Sequence, residues 1–162
     1  MIRQPLTRLL VLPCLMLFAA SGAAADAGAN QSPCVFTADE LASAFGKPFR
    51  PPEIRVPTPP VTVNCTFEAT NERGKKLYLV VKAKETEKEF SVLQRLAGIQ
   101  SKGKLHELNN IGRAAFTTPD SMRLWDGTRS LSVKGMKEIL KRDITPEEAS
   151  ALLALGLKKM PR

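Results

Sequence analysis

The chain is poor in the residues that carry most enzyme chemistry. It has one histidine, His106, one tryptophan, Trp125, and one tyrosine, Tyr78, in 162 residues. A structural zinc site takes four ligands, mostly cysteine and histidine, and one histidine with three scattered cysteines does not supply them; we expect no metal and no cofactor. Gly-x-Ser-x-Gly, P-loop and His-Glu-x-x-His patterns are absent. So is Cys-x-x-Cys, the spacing of a redox dithiol. Aromatic residues make up 6% of the chain, too few for stacking on bases, which argues against nucleic acid as a partner. No apolar run reaches the ~20 residues that span a bilayer.

The longest apolar run, Leu9 to Ala20, belongs to a different pattern. Arg3 and Arg8 precede it and Ala23-Ala24-Ala25 follows it, the three parts of a secretory signal peptide. We therefore read residues 1–25 as a leader cleaved before Asp26, or before Gly28 as a second choice. A lipoprotein reading of Cys14 meets Pro13 where a small residue belongs, and the apolar run continues past the cysteine. The mature protein is then exported, to a periplasm or outside the cell, with no transmembrane segment. The formal charge of +8 loses Arg3 and Arg8 and falls to +6. That is an ordinary basic surface or an attraction to anionic partners.

Two cysteines remain, Cys34 and Cys65. An even count in an oxidising compartment reads as one disulfide. A loop of this size contributes roughly 3–4 kcal/mol in the chain-entropy account. The competing reading is a Cys–His nucleophile drawn from Cys34, Cys65 and His106. It requires an unpaired thiol in an exported protein.

Residues 26–33 are small and polar and read as a flexible tether. From residue 34 to 162 we expect a single domain. Thr37 and Glu40 have the capping-box spacing, with Phe36 and Leu41 at the staple positions and Gly46 at the C-cap, so a short helix covers about 38–45. Residues 47–60 hold six prolines and read as an extended connector that excludes a helix or a central strand. Residues 61–69 alternate, with Val61, Val63, Cys65, Phe67 and Ala69 on one face. Residues 77–84 form a second strand, with Leu77, Leu79, Val81 and Ala83 inward.

Thr86 and Glu89 start a helix over about 87–100, with Phe90, Leu93, Leu96 and Ala97 on its buried stripe. A short strand covers 114–118. The segment 122–133 reads as a hairpin closed by a tight type I′ turn at Asp126-Gly127. Trp125 beside that turn is a core anchor or an exposed binding aromatic. Met136, Ile139 and Leu140 fit one helical turn. Thr145, Pro146 and Glu148 open a last helix over about 146–158 that buries Leu152, Leu153 and Leu157. The fold class is α+β: an antiparallel sheet of about five strands with helices packed on it and one disulfide.

The pattern Cys34, Thr37-x-x-Glu40, Gly46-Lys47-Pro48, then Cys65-Thr66-Phe67 and later Gly112-Arg113-Ala114-Ala115-Phe116 resembles a group of small exported bacterial proteins and lipoproteins of unknown function. The resemblance covers most of 34–133. It implies a disulfide joining the first helix to the first strand and a PsbP-like sandwich, and it carries over no catalytic residue. This chain departs from the group in lacking a lipobox and in having Arg113 where an acid is common.

The candidate chemistry is sparse. His106 beside Glu107 is a surface residue or, on the sharper reading, a general base. The pairs Glu87/Glu89 and Glu147/Glu148 sit in helix first turns, where caps and dipoles account for them. Lys134, Lys137 and Lys141 line one side if 134–142 is helical, and Arg142, Lys158 and Lys159 add charge toward the C-terminus. This cluster is a solvated face or the contact for an anionic partner. The functional expectation is a non-catalytic exported binding protein for an anionic envelope component or a protein partner. The alternatives are an accessory or inhibitory subunit of an envelope complex and a Cys/His-dependent enzyme.

Overall fold

The computed structural model describes residues 34–59 and 61–160; the leader and tether read from the sequence lie outside them. The elements are α1 (Ala38–Phe45), β1 (Glu53–Arg55), β2 (Val61–Glu68), β3 (Lys76–Lys82), α2 (Glu87–Gln100), β4 (His106–Glu107), β5 (Ala114–Thr117), β6 (Ser121–Trp125), β7 (Ser130–Lys134), α3 (Met136–Leu140) and α4 (Pro146–Lys159). The strands form one sheet of seven in the order β1-β2-β3-β7-β6-β5-β4. Every neighbouring pair is antiparallel.

The class is α+β as expected, but with seven strands rather than about five. The two additions are the short edge strands β1 and β4, of three and two residues. Segments so short cannot display an alternation. β1 also lies within the proline-rich stretch expected to be a plain connector. Its prolines flank the three paired residues, and an edge strand tolerates them because one side of its backbone needs no partner.

The period of two in each strand separates an inner from an outer face. The inner face carries Val63, Cys65 and Phe67 of β2, Leu77, Leu79 and Val81 of β3, Leu131 and Val133 of β7, and Met122 and Leu124 of β6, all buried. α1 and α4 cover it, contributing Leu41, Phe45, Ala149, Leu152 and Leu153 to one apolar cluster. Thr37, Thr86 and Thr145 each close a capping box, so the ends of α1, α2 and α4 satisfy their own backbone donors. Phe36 and Leu41, the two staple positions of α1, are fully buried. Cys34 is bonded to Cys65, which ties the lead-in to α1 to the middle of β2. α4 lies so close to the sheet that a Cβ on Gly156 would run into Leu131 Cδ2 and lie 3.0 Å from Phe36 Cζ. Leu157, expected inward, is half-buried, and Gly156 takes the place facing the sheet.

The outer face is covered by α2 over its β4–β7 half. Phe90 is buried there between Phe116 and Trp125, at centroid distances of 5.5 and 6.0 Å. Trp125 is half-buried, and its indole Nε1–H donates to the Glu85 carbonyl at 2.9 Å. It anchors this second, smaller core. Leu96, expected on the buried stripe of α2, is 47% exposed. Ala83, expected inward on β3, is exposed just past the end of the strand.

Two other local expectations change. The β6–β7 connection spans 126–129 rather than a two-residue type I′ turn. Gly127 alone has positive φ, at 112°, and Asp126 accepts the backbone N–H of Thr128 and Arg129 on its carboxylate. The side chain thus does what a second positive φ would otherwise do. The helical reading of 134–142 shrinks to the five residues of α3, with Lys134 left on β7 and Lys141 in a left-handed conformation at φ 60°.

Candidate anion-binding surface

That shortening decides the fate of the predicted basic cluster. Lys134, Lys137 and Lys141 do not line one helix side. Lys134 follows the inward Val133, so it belongs to the outer face, opposite Tyr78 on β3. Among the described residues it has no ion-pair partner. Lys137, in α3, places Nζ 3.4 Å from Asp143 Oδ1. Lys141 reaches back to Glu72 in the β2–β3 turn, Nζ to Oε1 at 3.3 Å.

Glu72 also receives Lys47 at 2.6 Å and Lys75 at 2.9 Å, and these lysines hold its carboxyl down at about 2. Arg142 makes a two-pronged bond to Glu148, at 2.5 and 2.8 Å. The guanidinium and the N–H of Thr145 lower Glu148 to about 2 as well. Lys159, at the end of α4, pairs with Glu40 of α1. Lys158 beside it is exposed and has no ion-pair partner among the described residues. The six predicted residues therefore separate: Arg142, Lys158 and Lys159 flank or end the helix that covers the inner face, whereas Lys134 belongs to the outer face. Most of the cluster serves as internal ion pairing, and only Lys134 and Lys158 carry an uncommitted charge.

A different grouping forms around Lys134. A groove of about 500 Å³ lies where the end of α2 meets the β5–β6 turn, the end of β7 and α3; Lys102, Lys104, Lys134 and Lys137 line it, with Asp120 and Ser121. Asp120 is the one carboxylate among these lining residues, and it is occupied. Its Oδ1 accepts the Lys137 N–H at 2.9 Å, and its carbonyl accepts the N–H groups of Gly135 and Met136. Lys104 shares Asp143 with Lys137, at 3.6 Å. Lys102 sits in a tight turn with φ of 54°, held by the bonds from Lys102 N to Ile99 O and from Gly103 N to Gly98 O. Four lysines thus line one concavity, two of them, Lys104 and Lys137, also paired with Asp143. Neither Lys102 nor Lys104 is among the basic residues that the sequence groups together. The available signal was two lysines within three residues at a helix end, but nothing local joins them to a strand thirty residues later.

The second feature invisible in the sequence lies beneath α2. Glu85 is 3% exposed, and its Oε1 accepts Arg123 Nη2 at 2.5 Å and Lys82 Nζ at 3.1 Å. The Arg123 guanidinium lies 6.0 Å from the Phe90 ring centroid. Glu85 Oε2 and Arg123 Nε are buried without a hydrogen-bond partner. Cys34 and Cys65 are joined to each other, and His106 is exposed on the edge strand β4. Among the described residues no group of three or more histidine, cysteine or carboxylate side chains could hold a metal. No helix among them is long and apolar enough to cross a membrane. No family model, curated protein or solved structure matches the chain.

Proposed function

We propose that this chain is an exported, non-catalytic binding protein that holds an anionic envelope component in the lysine groove at the end of α2. The observation that carries the reading is the company of Lys134. It stands without an ion-pair partner among the described residues, beside Lys102, Lys104 and Lys137, and the one carboxylate lining the groove is committed to α3. Four ammonium groups around one concavity attract phosphate or carboxylate, and the attraction weakens with salt over a Debye length of about 10 Å at 0.1 M. The disulfide and the leader-like N-terminus are in keeping with export, as is the resemblance to small exported bacterial proteins.

The test is titration with polyphosphate at low ionic strength, followed by calorimetry. The groove reading expects binding that Lys102→Glu with Lys134→Glu reduces at least about tenfold, each lost contact contributing on the order of 1 kcal/mol. Lys158→Glu is expected to leave binding unchanged. Equal loss from all these variants would reduce the groove to general surface charge, and no binding by the wild type would end the reading.

A further inference from the structure

α2 presents two contrasting arcs. Successive residues of a helix are rotated by about 100°. Phe90 is buried against β5 and β6, and Gln94 reaches Glu107 on β4 through a 2.7 Å hydrogen bond. Those two fix which side of α2 lies on the sheet. The outward arc then holds Lys88, Val92, Arg95, Leu96 and Ile99, spaced four, three, one and three residues apart. Val92, Leu96 and Ile99 are 51%, 47% and 70% exposed, three of the six large apolar side chains that the described residues leave in solvent. One carboxylate borders this arc: Glu87 lines a shallow concavity with Lys88, Val92 and Arg95, while Glu89 is folded back to close the capping box with Thr86. At its C-terminal end the arc runs into Lys102 and the lysine groove.

We propose that α2 is an interfacial helix that lies flat on an anionic lipid bilayer. Val92, Leu96 and Ile99 enter the boundary between headgroups and acyl chains, and Lys88, Arg95 and Lys102 stay at the level of the phosphates. The inference rests on the anionic-partner reading above and names the component as lipid. Charge complementarity favours this occupant: aliphatic and cationic side chains share one arc, with Lys88, Arg95 and Lys102 outnumbering the single bordering acid, Glu87, a composition like that of helices that bind anionic surfaces in the plane of the interface. The exposure agrees with it: Val92, Leu96 and Ile99 stand in solvent, open to a fluid surface that closes around them. Lysine and arginine stems let the charge remain in water while the helix settles.

The test is co-sedimentation of the leader-processed, oxidised protein with vesicles of phosphatidylcholine, with and without phosphatidylglycerol. The proposal expects binding that needs phosphatidylglycerol and weakens with salt. It expects Leu96→Ser with Ile99→Ser to lower partitioning by about tenfold or more. Ile54→Ser, at an exposed isoleucine on β1, is the control that leaves it unchanged. An unchanged thermal midpoint shows that the serine variants remain folded. Because these two side chains are exposed, folding is expected to survive; Arg95→Glu gives a second readout through charge alone. Vesicle binding that ignores all three substitutions overturns the interfacial helix. Polyphosphate binding in the groove without vesicle binding overturns it too, and leaves the groove reading standing. Self-association that Ile99→Ser abolishes, with no vesicle binding, would make the arc a contact between copies and equally overturn the proposal.

Discussion

The two faces of the sheet are built on different principles. The inner face is apolar across β2, β3, β7 and β6, covered by α1 and α4, and tied by the Cys34–Cys65 bond. The outer face is covered over half its width by one helix, seated on an aromatic trio and on the buried pair Glu85–Arg123. An apolar interface tolerates sliding, whereas a buried ion pair is satisfied in one geometry only. Such pairs add little net stability compared with well-packed apolar residues. The outer core therefore gives α2 a fixed seat while leaving its far arc in solvent. The larger apolar core lies on one face, and the exposed apolar arc of α2 lies on the other.

The largest expected effect comes from breaking the outer seat. Glu85→Ala leaves the Arg123 guanidinium buried without its carboxylate, which costs about 3–5 kcal/mol for pairs of this kind. Glu85→Leu with Arg123→Met removes both charges and is expected to stay within about 1–2 kcal/mol of wild type. Urea unfolding of the three proteins checks this. If the single and double variants lose equally, the pair is not what holds α2, and the contrast between the faces fails.

Next in size is the inner staple. Replacing Cys34 and Cys65 by alanine is expected to cost about 2–5 kcal/mol, mainly by releasing loop entropy in the unfolded chain. The 31-residue separation encloses all of α1 and β1. Hydrogen exchange sharpens the comparison. Protection is expected to fall in α1 and at the β1 edge, while α2 amides keep theirs until global unfolding. A uniform loss would mean that the two faces unfold as one unit.

What was legible in the sequence was local. The first two strands show in their alternation, the hairpin in its Asp126-Gly127 turn, and the starts of three helices in Thr-x-x-Glu, because these signals need only neighbouring residues. The cysteine pairing followed from there being two cysteines left to join. The misreadings are long-range. A helical stripe shows which residues share a side but not how much sheet lies beneath them, so Leu96 was assigned to a core that stops at Leu93 and Ala97. Glu85 and Arg123 are 38 residues apart, and no spacing rule couples them. The lysine groove likewise joins a helix end to a strand end. The C-terminal basic cluster failed as a unit for the converse reason. Two of its acids, Asp143 and Glu148, are near in sequence, but the partners of Lys141 and Lys159, Glu72 and Glu40, come from early in the chain, out of sight of a charge count along the last thirty residues.

The smallest effect, and the one that separates the periphery from both cores, is the response to acid. The carboxyls of Glu72 and Glu148 are depressed from the ordinary 4.5 to about 2 by the lysines around one and by Arg142 and the Thr145 N–H at the other. A carboxylate with a lowered value in the folded state binds its proton more weakly there than in the unfolded chain. Its contribution is therefore fully present above about 4.5 and is lost as pH falls from 4.5 toward 2. The urea midpoint is expected to stay flat from neutral pH down to about 5 and then to decline. Glu72→Gln should make that decline shallower without steepening it anywhere above pH 5, because the glutamine does not titrate. The Glu148 side chain is 40% exposed and that of Glu72 19%, so added salt should shrink the difference between variant and wild type, more at Glu148 than at Glu72. A decline that survives both Glu72→Gln and Glu148→Gln would come from the other carboxyls held below their ordinary values by ion pairs and caps: Glu40, Glu53, Glu89 and Asp126.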